Sequence, residues 1–170
     1  MSSEGRMDGE VSRVFSIGER FKTSLRVNVP FLSLNGAAFA IDPKVKLSTA
    51  SDLAHYISGI LSGVLYSEKL TEGHPRIYGD TLSQLIRQMV AGRSDLMVAT
   101  EISGRLEVEN NFPDAGIRLV HEALVRILVY HYLNKKNRHI IPLITPVLAQ
   151  MHQSGEIMRM KASFIRERVH

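Results

Sequence analysis

Residues 124–165 constrain the fold of this chain more than any other segment. The apolar run at 125–130 predicts a β-strand, and the charged stretch at 134–138 predicts the turn that ends it. The following segment predicts a helix whose apolar side chains recur at i, i+3, i+4, i+7, i+8 and i+11, which is one helical face. Those side chains are Ile140, Leu143, Ile144, Val147, Leu148 and Met151. A second amphipathic helix is expected after Gly155.

Composition excludes several classes of protein. The 170 residues are 44% hydrophobic and 22% charged, which is typical of a soluble protein with one ordinary domain or two small ones. No run of 18 apolar residues predicts a membrane span. The first 15 residues lack the apolar core of a secretory signal, so no export signal is expected in this chain. The absence of cysteine excludes disulfides and thiolate chemistry.

Charged and nucleophilic side chains predict neither a nucleic-acid partner nor a catalytic centre. The net charge is +4, and basic residues concentrate in the last third without the aromatic interleaving of a base-stacking surface. The seven histidines are scattered with no spacing suited to a metal, and His131 and His139 are interpreted as surface or packing residues. No Ser, His and Asp order indicates a triad. We therefore expect no metal, no cofactor and no catalysis.

The remaining pattern predicts alternating strands and helices. Strands are expected at 25–33, 57–61, 76–78, 96–99 and 117–120, and helices at 48–56, 64–71, 81–91 and 101–108. Residues 1–24 are interpreted as a loose start with a short helix near 17–21, and Asn35-Gly36 as a turn. Thr81 and Gln84 predict a capping box, and Gly92 a helix stop. This order predicts an α/β fold with a mainly parallel sheet and a small three-layer domain over residues 57–120.

Five segments in order carry a resemblance to a known family. They are D-G-E-V-S-R at 8–13, residues 25–41, I-S-G-I-L-S-G-V-L-Y-S-E-K-L at 57–70, G-R-S-D-L-M-V-A-T at 92–100, and Y-H-Y-L-x-K-K with M-x-x-S-G-E-I around the apolar helix. Together they resemble family 3 of the bacterial extracellular solute-binding proteins, the two-lobed ligand carriers of ABC importers. The resemblance runs from about residue 8 to residue 165.

This resemblance implies a periplasmic-binding-protein-like lobe with a mixed, mainly parallel sheet, two hinge strands and C-terminal helices. Residues 1–24 would be a remnant of lobe 1, residues 25–132 the hinge strands and lobe 2, and residues 133–170 helices that pack on lobe 1. The hinge crossings would be 25–41 and 124–132. The opening part of lobe 1 and the signal peptide are missing from this pattern, so an N-terminally truncated carrier is expected.

The same resemblance implies a set of ligand-binding residues. The family places ligand contacts at the turn that corresponds to Ser62, Gly63 and Val64, commonly with a Gly-Thr pair, but Val64 has no hydroxyl. Thr100 stands where amino-acid-binding members have an aspartate for the ligand ammonium, and Glu101 could replace that charge only if it turns inward. Tyr130 lies on the returning hinge strand, where one face could reach the cleft between the lobes.

The implied function is that of the solute-binding component of an ABC importer. Its partners would be a small polar solute and a membrane permease, and the complete protein would be periplasmic. Two alternatives stay open: an extracellular sensor domain of a signalling protein, and a dehydratase-like enzyme for which Glu101 is the candidate carboxylate. The apolar face of the helix at 140–151 also predicts self-association, poor solubility or repacking of this helix onto lobe 2, because the lobe 1 sheet it would cover is missing.

Overall fold

The computed structural model describes residues 7–14 and 23–168. The helix predicted near residues 17–21 lies outside the described residues. The strands are β1 Gly9–Val14, β2 Ser24–Ala40, β3 Ser58–Leu61, β4 Arg76–Gly79, β5 Leu96–Thr100 and β6 Arg118–Asn134. The α-helices are α1 Leu65–Leu70, α2 Leu82–Val90, α3 Glu101–Asn111, α4 Ile141–Gln153 and α5 Glu156–Arg168. Ala50–His55 and Lys135–Ile140 are 3₁₀ helices.

The strands form one mixed sheet in the order β1-β6-β2-β5-β3-β4. β3 runs parallel to both β4 and β5, whereas β2 pairs antiparallel with β5, and β1 with β6. The α/β class and the mixed sheet predicted from the sequence are therefore confirmed.

The chain divides into two compact units, and the long strands β2 and β6 contribute to both. Unit 1 comprises Met1–Ser33 and Ile127–Glu167, and unit 2 comprises chiefly Leu34–Arg126. The domain boundaries expected at 24/25 and 132/133 stay predictions.

Unit 2 has three layers because its sheet buries apolar side chains on both faces. One face carries Ala38, Ile60 and Val98, which pack with Leu53 of the first 3₁₀ helix and with the partly buried Tyr66 of α1. The alternate residues of the same strands face the second cluster, which is completed from α2 and α3. That cluster contains Ala37, Phe39, Leu85, Ile86, Met89, Met97 and Ala99. Alternation along buried strands thus produces the predicted helix-sheet-helix arrangement.

The turn predicted at Asn35-Gly36 is wrong, because β2 continues through both residues and Gly36 pairs with Thr100 of β5. A Cβ at Gly36 would lie 2.7 Å from Val125 Cγ1 and 3.1 Å from the Tyr66 ring. Glycine is therefore required here because neighbouring side chains approach the strand closely, and a close approach is a common reason for a glycine within a strand.

The separate strand predicted at 117–120 is also wrong. It belongs to β6, a continuous strand of 17 residues that includes the predicted strand at 125–130. Polar His121 and exposed Glu122 interrupt the apolar pattern between these two runs without breaking the strand. The strand predicted at 25–33 continues to Ala40 as β2, and the loose start expected at 1–24 contains β1 (Gly9–Val14). The helix expected at 48–56 is the 3₁₀ helix Ala50–His55. The remaining predicted strands and helices within the described residues are confirmed within a few residues.

Unit 1 contains the strands β1, β6 and β2 together with the two C-terminal helices. Leu148 of α4 and Ile157 of α5 are buried, as are Val27, Ile127 and Val129 of the strands. The ring of His152 is hydrogen-bonded to the Pro30 carbonyl, and Lys161 Nζ donates to the Ser33 carbonyl at 3.1 Å. Both contacts fasten the helices to β2.

Only part of the apolar stripe predicted for α4 is buried. Leu148 is buried and Ile144 is partly buried, but Leu143 and Val147 are 67% and 54% exposed. Pro146 lies inside α4 and does not delay the helix, which begins at Ile141. The predicted turn at 134–138 is the start of the 3₁₀ helix Lys135–Ile140, capped where Lys136 N–H donates to Asn134 Oδ1.

Candidate functional site

The carboxyl ends of three parallel strands bring the predicted residues of unit 2 to one edge of its sheet. Ser58 pairs with Leu96 and Ile60 with Val98, so continuing this register by two residues sets Ser62 level with Thr100. Neighbouring strands lie about 4.8 Å apart. On the other side of β3, Leu61 pairs with Gly79, and the Ser62 N–H donates to the Gly79 carbonyl at 2.9 Å. Open α/β sheets bind ligands at this edge.

The turn Ser62–Val64 leads from β3 into α1, and Gly63 has a positive φ of 74° that favours glycine. Its backbone donors are all engaged within the chain. Besides the Ser62 bond, the Gly63 N–H donates to Glu68 Oε1 at 3.0 Å and the Val64 N–H to the Leu61 carbonyl at 3.3 Å. Ser62 is exposed, and its hydroxyl donates to the Gly79 carbonyl at 3.3 Å. The turn thus offers a hydroxyl oxygen as an acceptor.

Thr100 and Glu101 lie where β5 passes into α3. Thr100 is the N-terminal cap of that helix: its Oγ1 accepts from the Ser103 N–H at 3.3 Å and lies 2.8 Å from Ser103 Oγ. The Glu101 carboxylate accepts from Arg105 Nε at 3.2 Å, with 19% of the Glu101 side chain exposed. An ion pair within the helix therefore neutralises the one charge that sequence reasoning placed at this strand end.

Tyr130 lies in unit 1, on β6. The Arg26 guanidinium lies 5.0 Å from the centre of its ring, a cation–π distance, and Arg26 also donates to Asn28 Oδ1 at 3.2 Å. The neighbouring His131 ring is 4.3 Å from that of Phe31, and burial lowers the His131 pKa. A packing role accounts for the contacts of His131, as predicted, and the ligand role of Tyr130 stays a prediction.

Sequence reasoning missed three side chains at the edge of unit 2. Glu68 and Arg105 engage two of the predicted residues, and Tyr66 packs beside Gly36, where burial raises its pKa. Arg105 follows Glu101 by four residues, a spacing that pairs charges on a helix and was visible in the sequence. Glu68 follows Gly63 by five residues across a turn and a helix start, which no simple spacing rule predicts.

Within residues 7–14 and 23–168, no cluster of three or more His, Cys, Asp or Glu side chains has the geometry to hold a metal ion. In the same ranges, no helix combines the length and hydropathy needed to cross a bilayer.

Comparison with known sequences gives a distant relative. No protein-family model matches the chain. An uncharacterized protein of Shewanella oneidensis is 27% identical over 169 residues, which cover 95% of this chain. The chain spans 63% of the length of that relative.

Comparison with solved structures identifies the fold. An amino acid ABC transporter substrate-binding protein of Streptococcus pneumoniae, bound to L-arginine, superposes with a TM-score of 0.71 at 16% identity, over 99% of this chain and 72% of that one. The chain has a periplasmic-binding-protein-like fold. A histidine kinase sensor domain with similarity to periplasmic binding proteins also gives 0.71, at 16% identity over 95% and 71%. A solute receptor for L-cysteine of Neisseria gonorrhoeae gives 0.66, at 12% identity over 98% and 65%.

Proposed function

We propose that this chain is part of a solute-binding protein of an ABC-type importer, with a small polar solute bound at the carboxyl edge of β3 and β5. The observation that carries the proposal is the register of β3 and β5, which, continued by two residues, sets Ser62 level with Thr100 at that edge. The edge is the common ligand position of open α/β sheets, and the fold is shared with solute-binding proteins. The complete protein would act in the periplasm and deliver the solute to a membrane permease.

The proposed contacts follow from the chemistry of the edge. Ser62 and Thr100 present hydroxyl oxygens that accept from a donor group of a solute, because their hydroxyl hydrogens are donated to the Gly79 carbonyl and to Ser103 Oγ. Gly63 and Val64 contribute turn backbone, and Glu101 is a further acceptor beside its ion pair with Arg105. Tyr130 is a proposed contact from the hinge strand. We propose no catalysis, since the carboxylate of Glu101 is engaged by an arginine and the neighbours named above are binding proteins and a sensor domain.

A sensor domain is a second candidate because the histidine kinase sensor domain gives the same TM-score as the importer protein. A sensor would bind its solute at the same edge, but binding would lead to a signal instead of delivery of the solute to a permease. A membrane helix followed by a kinase or cyclase segment in the complete gene product would decide for the sensor. A neighbouring permease and ATPase gene would decide for the importer.

The proposal is tested by substituting Thr100 in the complete protein. A thermal-shift screen against amino acids, amides, sugars and polyamines identifies the solute, and calorimetry gives the Kd. Thr100→Val removes the hydroxyl at constant shape, and we expect binding to weaken by about tenfold, or roughly 1.4 kcal/mol. Thr100→Ser retains the hydroxyl and should bind within about twofold of wild type.

Thr100 also caps α3, so the unfolding temperature of each variant is measured without solute. If the Thr100→Val variant binds the solute as tightly as wild type, Thr100 is not part of the site. A chain that binds no member of the screen would refute the solute-binding function itself.

A further inference from the structure

The turn between β3 and α1 already holds a carboxylate, supplied by the chain itself. Glu68 Oε1 lies 3.0 Å from the Gly63 nitrogen and accepts its N–H. A hydrogen bond from a backbone N–H to an ionised carboxylate is charge-assisted and stronger than one to a neutral acceptor. The donors on either side, at Ser62 and Val64, are taken by the carbonyls of Gly79 and Leu61. No N–H of this turn is left for an incoming anion.

Further carboxylates follow the neighbouring strand ends. Asp80 comes directly after β4 and is exposed. Because Leu61 pairs with Gly79, continuing this register by one residue sets Asp80 level with Ser62. Glu101 comes directly after β5, where Arg105 neutralises it. A solute carboxylate at the turn would have to displace Glu68 and would then face the charges of both Glu68 and Asp80. Unpaired like charges are an effective means of rejecting a ligand.

We infer that Glu68 is a specificity-determining residue that excludes carboxylates from the turn Ser62–Val64. The solute class that this edge takes is therefore one that presents a neutral or positively charged polar group to the turn. This inference rests on the proposed function for the existence of a solute, and on the Glu68–Gly63 contact with the nearby Asp80 for the exclusion.

The contact is tested by the exchange of the Gly63 amide proton with water, measured by NMR on the complete protein. Glu68→Gln keeps an oxygen acceptor without the charge, and Glu68→Ala removes the acceptor. We expect exchange to accelerate at least tenfold in Glu68→Ala and much less in Glu68→Gln. Glu72→Gln is the matched control, since it removes an equal charge from an exposed residue just after α1. Unchanged exchange in Glu68→Ala would overturn the inference.

The exclusion is tested with sodium acetate as the probe, at constant ionic strength. In wild type and in Glu72→Gln the Gly63 amide resonance should not respond to acetate. In Glu68→Ala, where the donor is released, it should shift with acetate concentration. A response in wild type, or none in Glu68→Ala, would show that Glu68 does not control access to the turn. Should Glu68→Ala fail to fold, Glu68→Gln is used, and a smaller acetate response is expected from the loss of charge alone.

Neither the amide-exchange experiment nor the acetate titration uses a physiological solute, so both remain informative even if the ligand screen finds no solute. Conversely, if the solute screen succeeds and the best ligand is an amino acid whose carboxylate shifts the Gly63 resonance in wild type, the solute-binding function survives and the role of Glu68 is refuted.

Discussion

At the residue scale, Gly104 makes a close approach that positions one part of the proposed binding edge. Gly104 of α3 is buried against the Phe39 ring of β2, and a Cβ there would overlap the ring carbons. This contact positions α3, whose first turn carries Glu101 beside the cap Thr100. Without a side chain at residue 104, the helix can approach the sheet closely.

Gly104→Ala should therefore destabilise the protein, although the same change in an ordinary helix stabilises it by about 1 kcal/mol. We expect a loss of about 1–3 kcal/mol in the free energy of unfolding, the usual cost of overpacking a core. Urea denaturation measures it. Asn110→Ala on the exposed face of α3 is the control and should change stability little.

Adding Phe39→Leu to Gly104→Ala should recover part of the loss, because a smaller side chain makes room for the methyl group. A Gly104→Ala protein as stable as wild type would show that α3 does not depend on this contact.

At the element scale, the 3₁₀ helix Ala50–His55 depends on a carboxylate cap. Asp52 Oδ2 accepts from the N–H groups of Ser48 at 2.7 Å and Thr49 at 2.9 Å. These bonds, chiefly that from Thr49, lower the Asp52 pKa. A carboxylate with a lowered folded-state pKa stabilises the fold above its unfolded value of about 3.9. That contribution is lost as pH falls through the folded-state pKa.

Asp52→Asn should therefore lower the urea midpoint at pH 7, and the difference from wild type should shrink as pH falls below about 4. Asp114→Asn changes an exposed turn residue by the same charge and is the control. A deficit in Asp52→Asn that is the same at pH 7 and pH 3 would mean that the ionised cap is not its cause.

The elements also show how far sequence alone can predict this fold. Helix α2 was predictable because its signals are local: Thr81 Oγ1 accepts from the Gln84 N–H, and Gly92 ends the helix with a φ of 70°. Gln84 Oε1 accepts from the Asp80 N–H rather than from Thr81, so the capping box is shifted by one residue. Continuous β2 and β6 were not predictable from local signals, since Gly36 pairs with Thr100 of a strand distant in sequence and β6 lies between β1 and β2 in the sheet.

The candidate site was predictable in position but not in its contacts. Strand ends follow from the apolar pattern, and the family resemblance implied ligand contacts at Ser62 and Thr100, which follow two of those ends. The ion pair of Glu101 and the bond of Glu68 to Gly63 depend on side-chain geometry at a turn and a helix start. For that reason the sequence could place expected ligand contacts at this turn but could not reveal that the Gly63 N–H is already bonded to Glu68.

At the scale of the whole molecule, the C-terminal helices leave apolar side chains in solvent. Leu143 and Val147 of α4 are more than half exposed, as are Met158 and Met160 of α5, and Phe164 is 46% exposed. Exposed apolar patches of this kind mark interaction surfaces or aggregation sites. We therefore predict that the isolated 170-residue chain associates with itself through these helices.

Leu143→Ser with Val147→Ser should shift the isolated chain towards the monomer in analytical ultracentrifugation. The control is Val90→Ser, which removes an equally exposed apolar side chain from unit 2. A wild-type chain that sediments as one monomeric species at every concentration would contradict the prediction.

In the proposed function, unit 2 binds a solute at the carboxyl edge of β3 and β5. The most direct measurement is an NMR titration of the complete protein with the best solute from the screen. We predict a saturable response whose largest amide shifts cluster at Ser62–Val64 and at Thr100 and Glu101. Shifts centred elsewhere in unit 2, or no saturable response to any solute, would contradict the claim.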